Sequence, residues 1–180
     1  SLLTQSGNVC AAVYAIARKL SVNFSHFINT GNEACVDFAQ YLEYLAQDDA
    51  TQVVMGYIEE LRDGPRFIAA AKEFAQRDKL LILYKAGETD KGSEAVRSHT
   101  SALAGDKAIY QAAFQQLNII QSHDFVQMAQ LANLANYRHL HAGKRVAIIT
   151  ISGALGAILA DKFIGQGLEV PTLPDDLQAT

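Results

Sequence analysis

The chain has no tryptophan, two cysteines and three prolines among 180 residues, and aromatic side chains make up only 8% of it. Cys10 and Cys35 are joined by no ligand-like spacing, so reduced, buried thiols are expected, as in a cytoplasmic protein. Positive charge is also scarce. Fifteen Lys and Arg face nineteen Asp and Glu, for a net charge of -4, which gives no support for nucleic-acid binding, since that needs a basic stripe. No apolar run reaches the roughly 18 residues of a membrane-spanning helix, and the first residues show no basic stretch followed by an apolar one, the mark of a secretory signal. Several catalytic signatures are missing as well. There is no Gly-x-Gly-x-x-Gly, no Gly-x-x-x-x-Gly-Lys-Ser/Thr and no Gly-x-Ser-x-Gly elbow, so neither a nucleotide fingerprint nor a serine-hydrolase turn is present. His139-x-His141 is a poor metal pair, because residues two apart do not share a helix face and no Cys or carboxylate pair joins them; no metal site is expected.

What the chain does have is apolar bulk, 49% of its residues, dominated by Ala, Leu, Ile and Val. That suits helices packed on a buried parallel sheet. The order of patterns agrees. Leu2 to Gln5 is short and apolar, Ser6-Gly7-Asn8 turns, and Val9, Val13, Ile16, Ala17 and Leu20 recur at helical spacing. Phe24 to Ile28 is a second strand, closed by Asn29-Thr30-Gly31-Asn32. A helix follows over Val36 to Leu45, with Val36, Ala39, Leu42 and Leu45 on one face. Gln52 to Ile58 reads as a buried strand, and Gly64-Pro65 opens a helix whose apolar face is Phe67, Ala71 and Phe74. Lys79 to Tyr84 is the clearest strand.

Lys85 to Gly105 reads as a long loop with one helical turn at Glu94 to Arg97, and long ordered loops in compact domains tend to be functional. Asp106 caps a helix over Lys107 to Leu117, Asn118 to Gln121 is a short strand, and Asp124 to Asn133 is helical. Tyr137 to Lys144 is a polar linker. Arg145 to Ile151 starts a new strand, and Ser152-Gly153-Ala154-Leu155-Gly156 turns into a helix over Ala157 to Ile164. The first residues open in mid-strand and the last, from Leu173-Pro174, follow closely on a helix, so the chain reads as a piece of a larger polypeptide. Leu3-Thr4-Gln5-Ser6-Gly7 is echoed by Ile149-Thr150-Ile151-Ser152-Gly153. Two similar α/β domains in tandem would produce the echo, and so would convergence on a common strand-to-helix turn.

Alternating strands and helices predict a parallel sheet covered on both faces. Right-handed crossovers then bring the C-terminal ends of the strands to one edge, where open α/β sheets bind ligands. Ser6-Gly7, Gly31-Asn32, Glu59 and the segment carrying His99 all follow strands and should meet there. A helix that starts at Ser6-Gly7-Asn8 offers backbone N–H groups and a favourable dipole to an anion. His99 lies among small residues (Ser98, Thr100, Ser101, Ala102, Ala104, Gly105), and a neutral imidazole is a good nucleophile toward phosphorus. Its second ring nitrogen needs an acceptor, which Glu59 or Glu60 could supply. Lys85, Lys91 and Arg97 add positive charge to the same segment, where it could attract phosphate or CoA.

The ordered set Thr4-Gln5-Ser6-Gly7, Tyr57-Ile58-Glu59, Lys85-Ala86-Gly87 and Ser98-His99-Thr100-Ser101-Ala102-Leu103-Ala104-Gly105 resembles the ADP-forming acyl-CoA synthetases of the succinyl-CoA synthetase superfamily. The resemblance implies a flavodoxin-like, three-layer, doubly wound parallel α/β sheet over residues 1–142, followed over 143–180 by the start of a second similar domain. It implies a reaction in which carboxylate, CoA and ATP give acyl-CoA, ADP and phosphate. His99 corresponds to the phosphorylated histidine, Glu59 to its glutamate partner, and Ser6, Gly7 and Asn8 to the helix start that receives the phosphoryl group. CoA and Mg-ATP or ADP would be bound by the whole protein, through an N-terminal CoA-binding Rossmann-like domain and an ATP-grasp domain, and this segment alone would be inactive. A homo-oligomer in the cytoplasm, acting on a carboxylate or its acyl-CoA and needing neither nucleic acid nor membrane, is the expected setting. The alternative is a non-catalytic, ligand-sensing domain of a synthetase-like protein fused to an acetyltransferase. Two positions depart from the family pattern: Ser101 replaces a usual Gly, and Ile151, Ser152 and Ala154 stand in place of an Asn-Gly-Gly-Gly-like turn.

Overall fold

The computed structural model describes residues 1–100, 106–137, 143–172 and 174, without the side chains of residues 99, 100 and 136. The chain divides into two compact units, Ser1–Tyr137 and Arg138–Thr180.

The first unit is built on five parallel strands: β1 (Leu2–Thr4), β2 (Phe27–Asn29), β3 (Val53–Ile58), β4 (Leu80–Lys85) and β5 (Ile120–Gln121). Their order across the sheet is β2-β1-β3-β4-β5, and every pairing is parallel. This is the doubly wound, flavodoxin-like order, with the direction of winding reversing between β1 and β3. Among the described residues six α-helices belong to the unit: α1 (Gly7–Lys19), α2 (Phe38–Gln47), α3 (Gly64–Gln76), α4 (Asp90–Thr100), α5 (Lys107–Gln116) and α6 (Phe125–Leu134).

Side chains that alternate along a strand point to opposite faces, and neighbouring residues therefore divide between two cores. Leu3, Val54, Leu81 and Leu83 pack with Phe38, Leu42, Phe67, Phe74 and Phe114 from α2, α3 and α5. Leu2, Met55 and Ile82 pack with Cys10, Val13, Ala17, Met128 and Ala132 from α1 and α6. Gly56 is required where β3 crosses the first core. A Cβ there would sit 2.3 Å from Leu83 Cδ2 and 3.0 Å from Phe38 Cζ.

Local capping fixes where the helices begin. Asp37 and Gln40 form a reciprocal capping box at α2, Asp63 accepts from Arg66 N with Pro65 in the first turn of α3, and Asp106 and Asp124 cap α5 and α6. The expected α2 start at Val36 moves to Phe38, because Asp37 is the cap and Val36 lies outside it, exposed. The expected β2 moves from Phe24–Ile28 to Phe27–Asn29. It is an edge strand with Phe27 half exposed, so burial does not mark it. Cys10 is buried as expected, but Cys35 is exposed.

The largest difference lies between β4 and α5. Residues expected to form a long loop contain α4, and His99 sits in its last turn. None of its described residues is buried, so no apolar period announces this helix. Its first turn is held locally: Gly92 N donates to Thr89 Oγ1 (3.1 Å), Ser93 N to Thr89 O (2.7 Å), and Lys91 pairs with Glu94 (2.7 Å). Residues 101–105, with the Ser101 departure, lie outside the described residues, as do His139 and His141.

In the second unit, α7 (Gly153–Gly165) starts earlier than expected, because Ser152 caps it by accepting from Leu155 N. Arg145 to Ile151 was expected to be a strand. Among the described residues it makes a single parallel bridge, Arg145 to Glu169. Val146 N donates to Glu169 O and Glu169 N to Lys144 O, both at 2.8 Å. A strand needs a ladder, and residues beyond Val146 have none here; Ile149 and Ile151 are fully exposed.

Gly56→Ala should destabilise the protein by about 1–3 kcal/mol through overpacking, read as a lowered urea midpoint. An unchanged midpoint would mean that Leu83 and Phe38 yield freely.

Candidate functional site

In-register pairing sets the ends of the central strands level. Thr4 lies beside Asn29 on one side and Tyr57 on the other, and Tyr57 beside Tyr84. β1 leaves the sheet after Thr4, and β3 and β4 one residue further on, after the Ile58–Lys85 pair, so their loops open at the same C-terminal edge. The crevice between β1 and β3 is the reversal point where doubly wound sheets place their ligands.

From β1 the chain enters Gln5-Ser6-Gly7. Ser6 is extended (φ -122°, ψ 126°) and caps α1 with a long bond from Val9 N to its Oγ, 3.5 Å. Thr4 Oγ1 donates to Ser6 O at 3.1 Å and steadies the turn. The N–H groups of Gly7 and Asn8 take part in no hydrogen bond among the described residues, as is usual for a helix start, and they are open to an anion. Gly7 lies against Asn29, and a Cβ on it would be 3.3 Å from the Asn29 amide nitrogen.

From β3 the chain enters Glu59-Glu60. Glu59 is buried, and Tyr57 Oη donates to its Oε1 at 3.1 Å. Burial, followed by the charge of Glu59, pushes the Tyr57 phenol far above its usual range, so it remains a donor at any physiological pH. Tyr57 is itself clamped, stacked on Tyr84 with ring centres 5.7 Å apart and edge-on to Phe125. Lys85, read from sequence as a loop cation, ends β4 and is buried. Its Nζ donates to Glu59 O (2.9 Å) and Ala86 O and lies 4.7 Å from the centre of the Tyr110 ring. Burial lowers its pKa, while Glu88, Glu59 and Glu60 oppose the shift. Lys91 and Arg97 are exposed on α4, where Arg97 Nε donates to Ser93 O (3.4 Å).

The side-chain amide of Gln5 joins the two sides. Its Oε1 accepts from Glu59 N (2.6 Å) and Glu60 N (3.2 Å), and its Nε2 donates to Glu60 O (2.7 Å) and Glu33 Oε1 (2.7 Å). Glu33 did not emerge from the sequence. It is buried in a left-handed conformation (φ 53°) after β2, and its Oε1 also accepts from Thr30 Oγ1 (3.1 Å) and Phe38 N (3.0 Å). Arg62 donates to the carbonyls of Asn32 and Glu33. The loops after β1, β2 and β3 are thus tied into one junction. The only sequence signal was its neighbourhood, the Gly31-Asn32 turn. Glu60, left open beside Glu59 as an imidazole partner, is partly exposed. The structure thus ties Gln5, the residue before Ser6, to the backbone of Glu59 and Glu60, while Ser6, Gly7 and Asn8 follow it with no hydrogen bond to Glu59 among the described residues. The His99 side chain lies outside the described residues, so its distance to them is not part of this geometry.

Residues 1–135 match the family model described as the succinyl-CoA ligase like flavodoxin domain. The chain belongs to that family. Its relatives include the alpha subunit of an ADP-forming acetate–CoA ligase II from Pyrococcus furiosus, 38% identical over 97% of this chain and 38% of the relative. An ADP-forming acetate–CoA ligase from Methanocaldococcus jannaschii is 35% identical over 94% of the chain and 24% of the relative. Among solved structures, the dinucleotide-forming acetyl-coenzyme A synthetase 1 of Ca. Korarchaeum cryptofilum, in complex with phosphate and ADP, superposes with a TM-score of 0.82 at 28% identity, over 99% of this chain and 39% of that one. The chain thus spans two fifths or less of the length of these relatives. No described helix is long and apolar enough to cross a membrane, and no group of three or more His, Cys, Asp or Glu is gathered as a metal site among the described residues.

Burial raises the Glu33 carboxyl above the ordinary value of 4.5, against the bonds from Gln5, Thr30 and Phe38. The stabilising contribution of such a group is complete below the unfolded-state value and is lost as pH rises through the folded value. Glu33→Gln imitates the protonated form. The urea midpoint of wild type relative to this variant should therefore fall as pH rises above about 4.5 and then level off. A rise instead would mean that the hydrogen bonds outweigh burial.

Proposed function

We propose that this chain is the phosphohistidine-bearing segment of an ADP-forming acyl-CoA synthetase, with His99 as the carrier. The observation that carries the reading is the junction at the β1/β3 reversal, where a buried glutamate and an open helix start are held together in a chain of this family. The similarity to acetate–CoA ligases supports the reaction class, in which carboxylate, CoA and ATP give acyl-CoA, ADP and phosphate.

In the acyl-transfer half of the reaction, an acyl phosphate approaches the β1/β3 crevice. The lone pair of one His99 ring nitrogen attacks phosphorus, the bond from phosphorus to the acyl oxygen breaks, and the carboxylate leaves. Glu59 accepts the N–H of the other ring nitrogen, which fixes the tautomer and steadies the cationic phosphorylated ring. Tyr57 keeps the Glu59 carboxylate turned to its post. The N–H groups of Gly7 and Asn8, helped by the α1 dipole, receive the phosphoryl oxygens, with Ser6 setting the helix start. The phosphoryl group then passes to ADP, and the whole sequence runs backward from ATP. CoA and Mg-nucleotide are held by domains beyond this chain, of the Rossmann-like and ATP-grasp kinds, in the same polypeptide or a partner subunit. The residues from 143 onward begin a second domain of similar type. The protein works in the cytoplasm as a homo-oligomer.

Full-length protein incubated with Mg and ATP labelled at the γ-phosphate should gain an acid-labile, alkali-stable phosphoryl adduct. His99→Ala should abolish it, and Glu59→Gln should slow its formation on the order of tenfold or more. A His99→Ala protein that labels like wild type would sink the assignment. Absence of any adduct or ligase activity in the wild type would favour the ligand-sensing alternative.

A further inference from the structure

We infer that Gln5 is a positioning residue for phosphoryl transfer, the side chain that sets Glu59 in register with the head of α1. The inference rests on the phosphohistidine reading above and goes beyond it. A phosphohistidine must satisfy two partners at once, a carboxylate on one ring nitrogen and anion donors around the phosphoryl group on the other. The ring between them is rigid, so the spacing of the two partners is part of the machinery.

In this fold that spacing spans two separate loops, one after β1 and one after β3. Backbone pairing reaches only to Gln5 N, which donates to Tyr57 O at 3.2 Å. Beyond that point one amide makes the connection. Gln5 sits directly before Ser6, and its two amide atoms take up three backbone groups of Glu59 and Glu60, at 2.6, 3.2 and 2.7 Å. Lys85 holds the Glu59 carbonyl from the other side at 2.9 Å. The Glu59 peptide is therefore gripped at its N–H by the loop that begins α1 and at its C=O by β4. Glu33 completes the grip by accepting the second amide hydrogen of Gln5.

The amide chemistry is specific. Gln5 must accept on one atom and donate twice on the other, and only an amide does both. A carboxylate at this position keeps the acceptor but loses both donors. It also places a negative charge against Glu33 Oε1 and the Glu60 carbonyl, with the Glu59 and Glu60 carboxylates nearby and Arg62 and Lys85 as the local cations. Protonation would restore one donor. The Gln5→Glu protein should therefore regain function as pH falls, which loss of fold alone would not produce.

The test uses full-length protein, Mg-ATP labelled at the γ-phosphate, and the initial rate of adduct formation on His99, quenched in alkali. Gln5→Ala should reduce that rate tenfold or more and leave the KM for ATP unchanged, because ATP is bound elsewhere. Gln5→Glu, expressed as a ratio to wild type at each pH, should be impaired at neutral pH and recover toward wild type in mild acid. A Gln5→Ala protein that labels at the wild-type rate overturns the inference, and so does a Gln5→Glu ratio that stays flat with pH. If Gln5→Ala does not fold, the Gln5→Glu ratio alone decides. If wild type forms no adduct, the phosphohistidine reading itself fails and this inference falls with it. If wild type labels normally while the variants match it, only the role of Gln5 is lost.

Discussion

Everything at the candidate site depends on a problem that a buried parallel sheet creates for itself. Five strands covered on both faces pair their backbone groups within the sheet, but the groups that leave its C-terminal edge have no ladder to join. Between β1 and β3 the crossovers run to opposite faces, so no helix closes the gap. The Gln5 amide fills it, with its acceptor on two N–H groups and its donors on a carbonyl and a carboxylate. The edge is consequently rigid at the one place where the topology leaves it open. A carboxylate in this junction would repel Glu33, and an apolar side chain would strand three backbone groups, at a cost of about 1–3 kcal/mol for each buried group left unpaired.

The same junction shows why a buried acid such as Glu33 is tolerated. Burial works against its ionised form, yet its Oε1 takes three donors from three different segments, Gln5, Thr30 and Phe38 N. The Phe38 bond belongs to the start of α2, so that the helix start and the site edge share one acceptor. Stability of the first core and geometry of the crevice are therefore linked through Glu33, and neither can be altered there alone.

Much of this was legible in the sequence wherever burial writes a pattern. β3 and β4 are continuous apolar runs, α1 and α3 carry regular apolar faces, and Asp106 caps α5 as its side chain predicts, while the expected helix start at Asp124 moves to Phe125 with Asp124 as its cap. That Ser6-Gly7 and Glu59 lie at one edge followed from the rule that strand ends gather there. Features that burial does not mark were missed. α4 is held by a Thr89 cap and the Lys91–Glu94 pair, with no buried described residue, so its polar sequence reads as loop. Lys85 looked like a solvated cation because sequence does not show that carbonyls of Glu59 and Ala86 wait for it. Glu33 acts through partners 28 residues before it and 29 after it, a distance over which no local pattern extends.

The internal echo separates what backbone geometry supplies from what side chains add. Ser6 and Ser152 cap their helices at closely similar angles (φ -122°, ψ 126° and φ -115°, ψ 115°), and each helix runs 13 residues. Thr4 and Thr150 each donate to the carbonyl of the capping serine. Each helix then closes through a left-handed residue, Ser21 and Gly167. α3 also runs 13 residues and closes through left-handed Asp78, and α5 closes through left-handed Asn118, so the shared ending does not choose between a repeated unit and convergence. Yet the position that holds Gln5 before the first helix holds Ile151 before the second, and the Ile151 side chain has no donor or acceptor to bond a peptide. Both helix starts offer the same N–H groups to an anion. Among the described residues only the first is tied to a carboxylate through the side chain that precedes its cap, and that lock, rather than the Ser-Gly turn, is what sets the candidate site apart from an ordinary strand-to-helix connection.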